Sequence, residues 1–252
     1  MTKRFRMIAG PNGSGKSTLV SRLARDYAVN FYDFLNADEV FAEVTKTLAY
    51  RPSFPIDGSD LAEYAAASEY GDAVKAFFAN GDIAVIDECI RFVSPAAVNS
   101  YTIALVVNFL QAQSIKEGRS FSQETVFSHP SKLAALESAK AAGYRTYLYY
   151  VATSSPRINL GRVANRVAKG GHQVPEEKIL SRYNRSLESV SRSLEFLSRA
   201  YFFDNSGDEM RFLGEWNGES GFQSTTSDLP RWFTDLQIVK DRTEDIGQKT
   251  KA

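Results

Sequence analysis

Apolar positions in this chain fall into short runs bounded by glycine, proline and polar clusters, and their spacing predicts strands alternating with helices. Residues 3–9 read as a buried strand that runs straight into Gly10. From Lys16 to about Tyr27, Leu19, Val20 and Leu23 share one face of a helix. Phe31 to Leu35 predicts a second strand, closed by Asn36-Ala37-Asp38, with a helix starting near Glu39. Pro52, Pro55 and Gly58 make residues 51–58 a loop. Ser59 is the expected N-cap of an alanine-rich helix that ends near Asn80-Gly81. Ile83 to Val93 is rich in β-branched residues but broken by Asp87-Glu88, which reads as a hairpin or an irregular strand.

Asn99 to about Glu117 reads as a helix closed by Gly118, and Ser120 to Thr125 as a strand with a polar end. Ser131 to Ala142 is a helix stopped by Gly143. Arg145 to Val151, with three tyrosines, is a strongly β-prone central strand. Ile158 to Ala168 is a polar, arginine-bearing helix, followed by Gly170-Gly171. Pro175 opens a helix that runs past Phe196, and Tyr201-Phe202-Phe203 is a further strand ending in Asp204-Asn205-Ser206-Gly207. This order implies an α/β fold with a mostly parallel central sheet and helices on both faces. Residues from Lys240 onward are polar and expected to fray.

Composition narrows the function classes. The chain has 252 residues, and its 43% hydrophobic and 24% charged content is that of an ordinary globular protein. Lys+Arg and Asp+Glu are equal at 30 each, so no overall basic footprint for nucleic acid exists and none is expected as a partner. Cys89 is the single cysteine, which rules out an internal disulfide and a cysteine-built zinc site. Met7-Ile8-Ala9 is too short for a signal-peptide core, and no run approaches the roughly 20 apolar residues of a membrane span. A soluble, cytoplasmic protein is expected.

The strongest chemical signal is Gly10-Pro11-Asn12-Gly13-Ser14-Gly15-Lys16-Ser17-Thr18, which matches the phosphate-loop pattern in full between a predicted strand and a predicted helix. Glycines let the backbone wrap round phosphate oxygens, and the turned N–H groups form an anion nest at the helix start. Lys16 supplies positive charge to the β- and γ-phosphates, and Ser17 is placed to ligate Mg²⁺. ATP or GTP with Mg²⁺ is the implied ligand.

Other candidates carry two readings each. Asp38, past a strand end, suits a general base taking a hydroxyl proton, or a helix N-cap. Arg157, Arg162 and Arg166 precede Gly170-Gly171-His172; Arg162 and Arg166 share a helix face, suiting a lid that clamps a migrating phosphoryl group, or a solvated face. Glu124-Thr125 suits hydrogen bonding to a polyhydroxylated substrate, or a capping pair. His129 and His172, the two histidines, are too far apart in sequence to assert a metal pair.

Three further blocks act together: residues 121–132 (FSQETVFSHPSK), residues 141–151 (AAGYRTYLYYV), and residues 165–175 (NRVAKGGHQVP) with 182–187 (RYNRSL). With the phosphate loop they resemble the zeta toxin family of small-molecule kinases, over roughly residues 3 to 206. The resemblance implies a single P-loop kinase domain over 1–252 with a helical lid, a substrate-side insertion around 51–118 and a polar tail. It implies transfer of phosphate from ATP to a hydroxyl of a nucleotide sugar such as UDP-N-acetylglucosamine, and a small antitoxin that blocks the nucleotide site. By it Asp38 becomes the general base, Glu124, Thr125 and His172 line the substrate, Arg166 and Arg162 join Lys16 on the γ-phosphate, and Asn205 lies near the adenine. The plasmid-borne toxins carry a second lid arginine where this chain has His172. A polynucleotide 5′-kinase and a nucleotide-dependent regulatory module without catalysis are the rival readings.

Overall fold

The computed structural model describes residues 2–170 and 174–236. The expected fraying from Lys240 onward therefore falls outside the described residues. The chain divides into two compact units: one holds residues up to Phe31 and from Ser122 onward, the other Tyr32–Phe121. The expected insertion around 51–118 falls inside the second.

The first unit opens with strand β1 (Arg4–Ala9) and helix α1 (Lys16–Tyr27). The second contributes β2 (Asp33–Asn36), α2 (Ala37–Thr47), β3 (Ala49–Tyr50), α3 (Gly58–Ala67), α4 (Asp72–Ala79), β4 (Ile83–Ile86), β5 (Cys89–Phe92) and α5 (Ser100–Lys116). The chain then returns to the first unit through β6 (Phe121–Thr125), α6 (Ser131–Ala141), β7 (Arg145–Ala152), α7 (Pro156–Ala168), α8 (Glu176–Ser193), β8 (Arg199–Asp204), β9 (Arg211–Asn217), β10 (Gly221–Ser224) and the short α9 (Arg231–Thr234).

In the first unit the strands run in the order β10-β9-β8-β7-β1-β6. The pairs β1–β7 and β7–β8 are parallel, whereas β8–β9 and β9–β10 are antiparallel. The central strand β7 is buried from Leu148 to Ala152 without alternation, as a strand covered on both faces must be. Its register aligns Ala9 with Tyr150 and Ala152 with Asp204, so β1, β7 and β8 end side by side. The segments that leave them, from Gly10, Thr153 and Asn205, emerge at the same edge, where an open α/β sheet puts its ligand.

The sheet is flanked by helices. α8 is amphipathic, burying Ile179, Tyr183, Ser186 and Val190 at helical spacing. Two of its polar groups are satisfied in the core: the Tyr183 hydroxyl donates to the Thr153 carbonyl at 2.5 Å, and Ser186 Oγ lies 3.0 Å from the Tyr150 hydroxyl. Phe202, Phe222, Trp232 and Phe233 interlock as tilted and edge-on rings, which anchors α9.

β9 and β10 have no counterpart in the sequence reading. Gly214, Gly218 and Gly221 interrupt the apolar pattern there. Gly214 is required by contact, since a Cβ would strike the Gln223 carbonyl and the Phe222 ring.

In the second unit β3-β5-β4 form a small antiparallel sheet. The segment 83–93 resolves as a hairpin whose two turn residues, Asp87 and Glu88, both have positive φ (51° and 60°), the signature of a type I′ turn. The alanine-rich stretch is two helices rather than one, broken at Ser68–Gly71. Its N-cap is Asp57, whose carboxylate accepts from Ser59 N at 2.7 Å, so Ser59 sits inside the first turn. α5 is capped by a reciprocal Asn99–Thr102 pair and is buried over most of its surface, with a half-buried stripe at Ala104, Asn108, Ala112 and Ile115. Arg119 bonds Asp33 and lies over the Phe54 ring.

Candidate nucleotide site

The phosphate loop joins β1 to α1 and is held from two sides by asparagines. Asn159, fully buried on α7, donates its amide to the Asn12 carbonyl at 2.6 Å and accepts from the Thr153 hydroxyl. Asn205, just past β8, donates its amide to the Ser14 carbonyl at 2.8 Å, while its backbone N–H is bonded to Ala152 at 2.8 Å. The glycines make room for both. Gly13 has φ 76° and packs against the Asn159 backbone. Gly15 has φ 99°, and a Cβ there would run into the Asn205 amide.

Asn159 escaped the sequence reading. The available signal was a poor helix former with a hydrogen-bonding amide one turn into a helix, two residues after Arg157. Asn205 is fixed in turn by its neighbours. The buried Asp204 carboxylate accepts from Trp232 Nε1 at 2.8 Å and from Ser206 Oγ at 2.7 Å. Ser206 Oγ also accepts from Ser154 N at 2.8 Å.

Within the loop, Lys16 Nζ donates to the Pro11 carbonyl at 3.3 Å, so the ammonium lies folded over its own loop. Ser14 Oγ and Asn12 Oδ1 are buried and find no hydrogen-bond partner among the described residues. Such orphans cost free energy unless a ligand takes them up; the Ser14 hydroxyl can donate to a phosphate oxygen in this nest, whereas Asn12 Oδ1 can only accept.

Ser17 Oγ donates to the Glu124 carboxylate at the end of β6, 3.3 Å to Oε2 and 3.5 Å to Oε1. A hydroxyl and a carboxylate are hard oxygen donors of the kind Mg²⁺ takes. No group of three or more His, Cys, Asp or Glu is assembled among the described residues. A cation here would therefore complete its shell with phosphate oxygens and water, as Mg²⁺ in nucleotide sites does. Thr125, by contrast, caps the following turn, accepting from Phe127 N at 3.2 Å.

The arginines differ in what they touch. Arg162 is half-buried and spends its guanidinium on backbone carbonyls, Asn205 at 2.8 Å and Gly207 at 3.3 Å. Arg166, one turn further along α7, is exposed. Both line an open depression of about 490 Å³ with Asn165, Lys169 and Gly170. His172 lies outside the described residues. His129 is local, its Nδ1 2.9 Å from Ser131 Oγ at the start of α6.

In the second unit, Asp38 occupies the first turn of α2 with an exposed side chain. The helix cap is Asn36, whose Oδ1 accepts from Asp38 N at 3.0 Å, which leaves the Asp38 carboxylate out of the capping.

A phosphate loop clamped at the carboxyl edge of a parallel sheet, with a serine–carboxylate pair beside its lysine, defines a P-loop nucleotide-binding domain. The chain belongs to the AAA domain family (AAA_33), which it matches over residues 6–189. A Haemophilus influenzae protein described as uncharacterized is 33% identical over 69 residues, 27% of this chain. That match spans about half, 49%, of the relative's length.

Among solved structures, the AvrRxo1-ORF1:AvrRxo1-ORF2 complex with sulphate ions superposes with TM-score 0.55 and 14% identity, covering 97% of this chain and 71% of that one. The same complex with ATP gives 0.52 and 13%, covering 97% of this chain and 63% of that one. The PezAT chromosomal toxin-antitoxin system of Streptococcus pneumoniae gives 0.54 and 12%, covering 98% and 85%. At these identities the likeness is one of fold alone, an α/β P-loop fold with a mostly parallel central sheet. No helix among the described residues is long and apolar enough to cross a membrane.

Proposed function

We propose that this protein is an ATP-dependent phosphotransferase acting on a hydroxyl of a small molecule, with a nucleotide sugar such as UDP-N-acetylglucosamine as acceptor. The observation that carries the reading is the meeting of Ser17 Oγ with the Glu124 carboxylate beside Lys16, in a loop already clamped for phosphate. A nest that only bound an anion has no use for a carboxylate at its edge; a Mg²⁺-dependent reaction does. Mg²⁺, held through Ser17 and Glu124, would supply charge neutralisation across the β- and γ-phosphates.

The roles follow from the chemistry of phosphoryl transfer. The acceptor oxygen bonds to the γ-phosphorus, the bond to the β,γ-bridging oxygen breaks, and ADP leaves. Lys16 moves from the Pro11 carbonyl onto the phosphates and meets the developing charge. Arg166, exposed on α7, joins it. The Asp38 carboxylate, not used in capping its own helix, takes the acceptor proton. Glu124 belongs with the cation in this reading rather than with the sugar.

The AvrRxo1 structures are of the ORF1:ORF2 pair, and PezAT is a chromosomal toxin-antitoxin system. We extend to this chain a small antitoxin partner at the nucleotide site and a cytoplasmic setting. The test incubates the protein with ATP, Mg²⁺, UDP-N-acetylglucosamine and, separately, a 5′-hydroxyl oligonucleotide, with mass spectrometry of the products and Lys16→Ala as control. A phosphorylated nucleotide sugar made by the wild type alone supports the reading. A phosphorylated oligonucleotide would replace it with the polynucleotide-kinase reading, and ATP binding without turnover with a broad metabolite panel would replace it with the regulatory one.

A further inference from the structure

The nucleotide reading uses Asn205 but gives no role to the residue before it. Asp204 ends β8 and is only 3% exposed. Burying a carboxylate is costly unless several donors meet it. Trp232 Nε1, on α9, donates to its Oδ1 at 2.8 Å, and Ser206 Oγ donates to the same oxygen at 2.7 Å. Arg211 Nη2 stands 3.7 Å from Oδ2, and Ser206 N donates to that oxygen at 3.4 Å.

Docking α9 does not call for this carboxylate, because Phe233 already packs its ring against Phe202 and Phe222. The bonds instead close the turn that carries Asn205. Each residue of that turn is tied to a different part of the fold. Asp204 is tied to α9 through Trp232, and Asn205 to β7 through its N–H on the Ala152 carbonyl at 2.8 Å. Ser206 is tied to the segment after β7, accepting from Ser154 N at 2.8 Å. Held on this turn, the Asn205 amide reaches the Ser14 carbonyl at 2.8 Å. Trp232 is 5% exposed, and its ring lies 6.0 Å from that of Tyr150, the register partner of Ala9 at the end of β1. The indole therefore sits between the strand that leads into the phosphate loop and the carboxylate beside the residue that clamps it.

We propose that Trp232 and Asp204 are positioning residues for the phosphate loop. The indole N–H holds the carboxylate, the carboxylate holds the turn, and the turn aims the Asn205 amide at Ser14. This rests on the donor-nucleotide reading above. Both residues act through Asn205 rather than on the nucleotide, so α9, whose Trp232 lies 28 residues beyond Asp204, helps to set nucleotide affinity.

The test is calorimetric titration of the full chain with ATP and Mg²⁺, with a denaturant midpoint for each variant. Trp232→Phe keeps an aromatic ring on α9 and removes the N–H. It is expected to weaken ATP binding roughly fivefold, the lower end of coupling between separate sites. Ser206→Ala, which takes the hydroxyl from both Asp204 and Ser154, is expected to weaken it as well. In an Asn205→Ala background each change should move ATP affinity by less than about twofold, since the effect passes through the amide. Phe233→Leu is the packing control. It loosens the same helix without removing the Trp232–Asp204 bond, so the midpoint should fall while ATP affinity stays within about twofold of wild type. The proposal is overturned if Trp232→Phe and Ser206→Ala bind ATP like the wild type, or if they lose as much without Asn205 as with it. It is also overturned if Phe233→Leu weakens ATP binding as much as Trp232→Phe. Should Trp232→Phe fail to fold, Ser206→Ala decides by the same comparison. A wild type that binds no ATP would instead remove the underlying donor-site reading, so the two failures are distinguishable.

Discussion

Asn205 lies so close over Gly15 that no side chain fits between them: its amide reaches past Gly15 to the Ser14 carbonyl at 2.8 Å. The phosphate loop is therefore set by a residue far along the chain, and its glycine is required by packing as much as by backbone angle.

Replacing Gly15 by alanine should show both parts. Its φ of 99° disfavours an L-residue by about 1–2 kcal/mol, and the new methyl displaces Asn205. ATP affinity is expected to fall at least about tenfold (about 1.4 kcal/mol) with the circular dichroism of the fold retained. In an Asn205→Ala background the same change should cost less, because the collision is gone. Equal losses in both backgrounds would remove Asn205 from the explanation.

Asn159 supports the loop from the other side. Asn159→Ala removes the partner of the Asn12 carbonyl and leaves the Thr153 hydroxyl with the Ser155 carbonyl alone, at a position where Asn159 itself is fully buried. Denaturant unfolding should show a loss of about 1–3 kcal/mol, with weaker ATP binding alongside. A variant as stable as the wild type would mean that water replaces the amide at no cost.

The Ser17–Glu124 pair is expected to appear in the metal dependence. Glu124→Gln should raise the Mg²⁺ concentration for half-maximal turnover by roughly tenfold or more, while metal-free ATP binding stays close to wild type. An unchanged Mg²⁺ curve would return Glu124 to the acceptor side.

Asp38→Asn separates proton transfer from binding. Turnover should drop by roughly a hundredfold or more, with the dissociation constant for ATP within about twofold of wild type. Full activity in this variant would strip Asp38 of its assigned role.

Lys132, at the start of α6, gives a pH prediction. Burial lowers its ammonium to about 8 from the ordinary 10.5. Below pH 8 the folded and unfolded chains both carry the proton, and the folded chain bears the full cost of burying it. Between about 8 and 10.5 the unfolded chain holds more proton than the folded one, so stability rises with pH. The melting temperature of the wild type relative to Lys132→Met should therefore move in the wild type's favour from pH about 7.5 to about 10. A gap independent of pH would show that the amine is not buried.

The donor side of this site was legible in the sequence because phosphate binding is local. Gly10 to Thr18 is one stretch whose strand and helix context can be read directly. Strands of the central sheet were legible too, since Leu148 to Ala152 form an unbroken buried run. What could not be read depends on partners remote in sequence. Asn159 and Asn205 acquire meaning only when β1, β7 and β8 end together. Arg162 and Arg166 look alike at helical spacing, and only the Asn205 and Gly207 carbonyls tell them apart. β9 and β10 were hidden by glycines whose purpose, at Gly214, is to admit the Phe222 ring.

The split of the first unit has a consequence for synthesis on the ribosome. β1 and the loop after it are made before their partners, for β1 pairs with β7, where Arg4 meets Arg145, and the loop is closed by Asn159 and Asn205. At about 5–20 residues per second, a nascent chain spends about 10–40 seconds between making Gly10 and making Asn205. During that interval the whole Tyr32–Phe121 unit has been translated, while the phosphate loop still lacks Asn159 and Asn205 for most of it. A truncated chain that ends before Asn205 would thus have no closed phosphate loop.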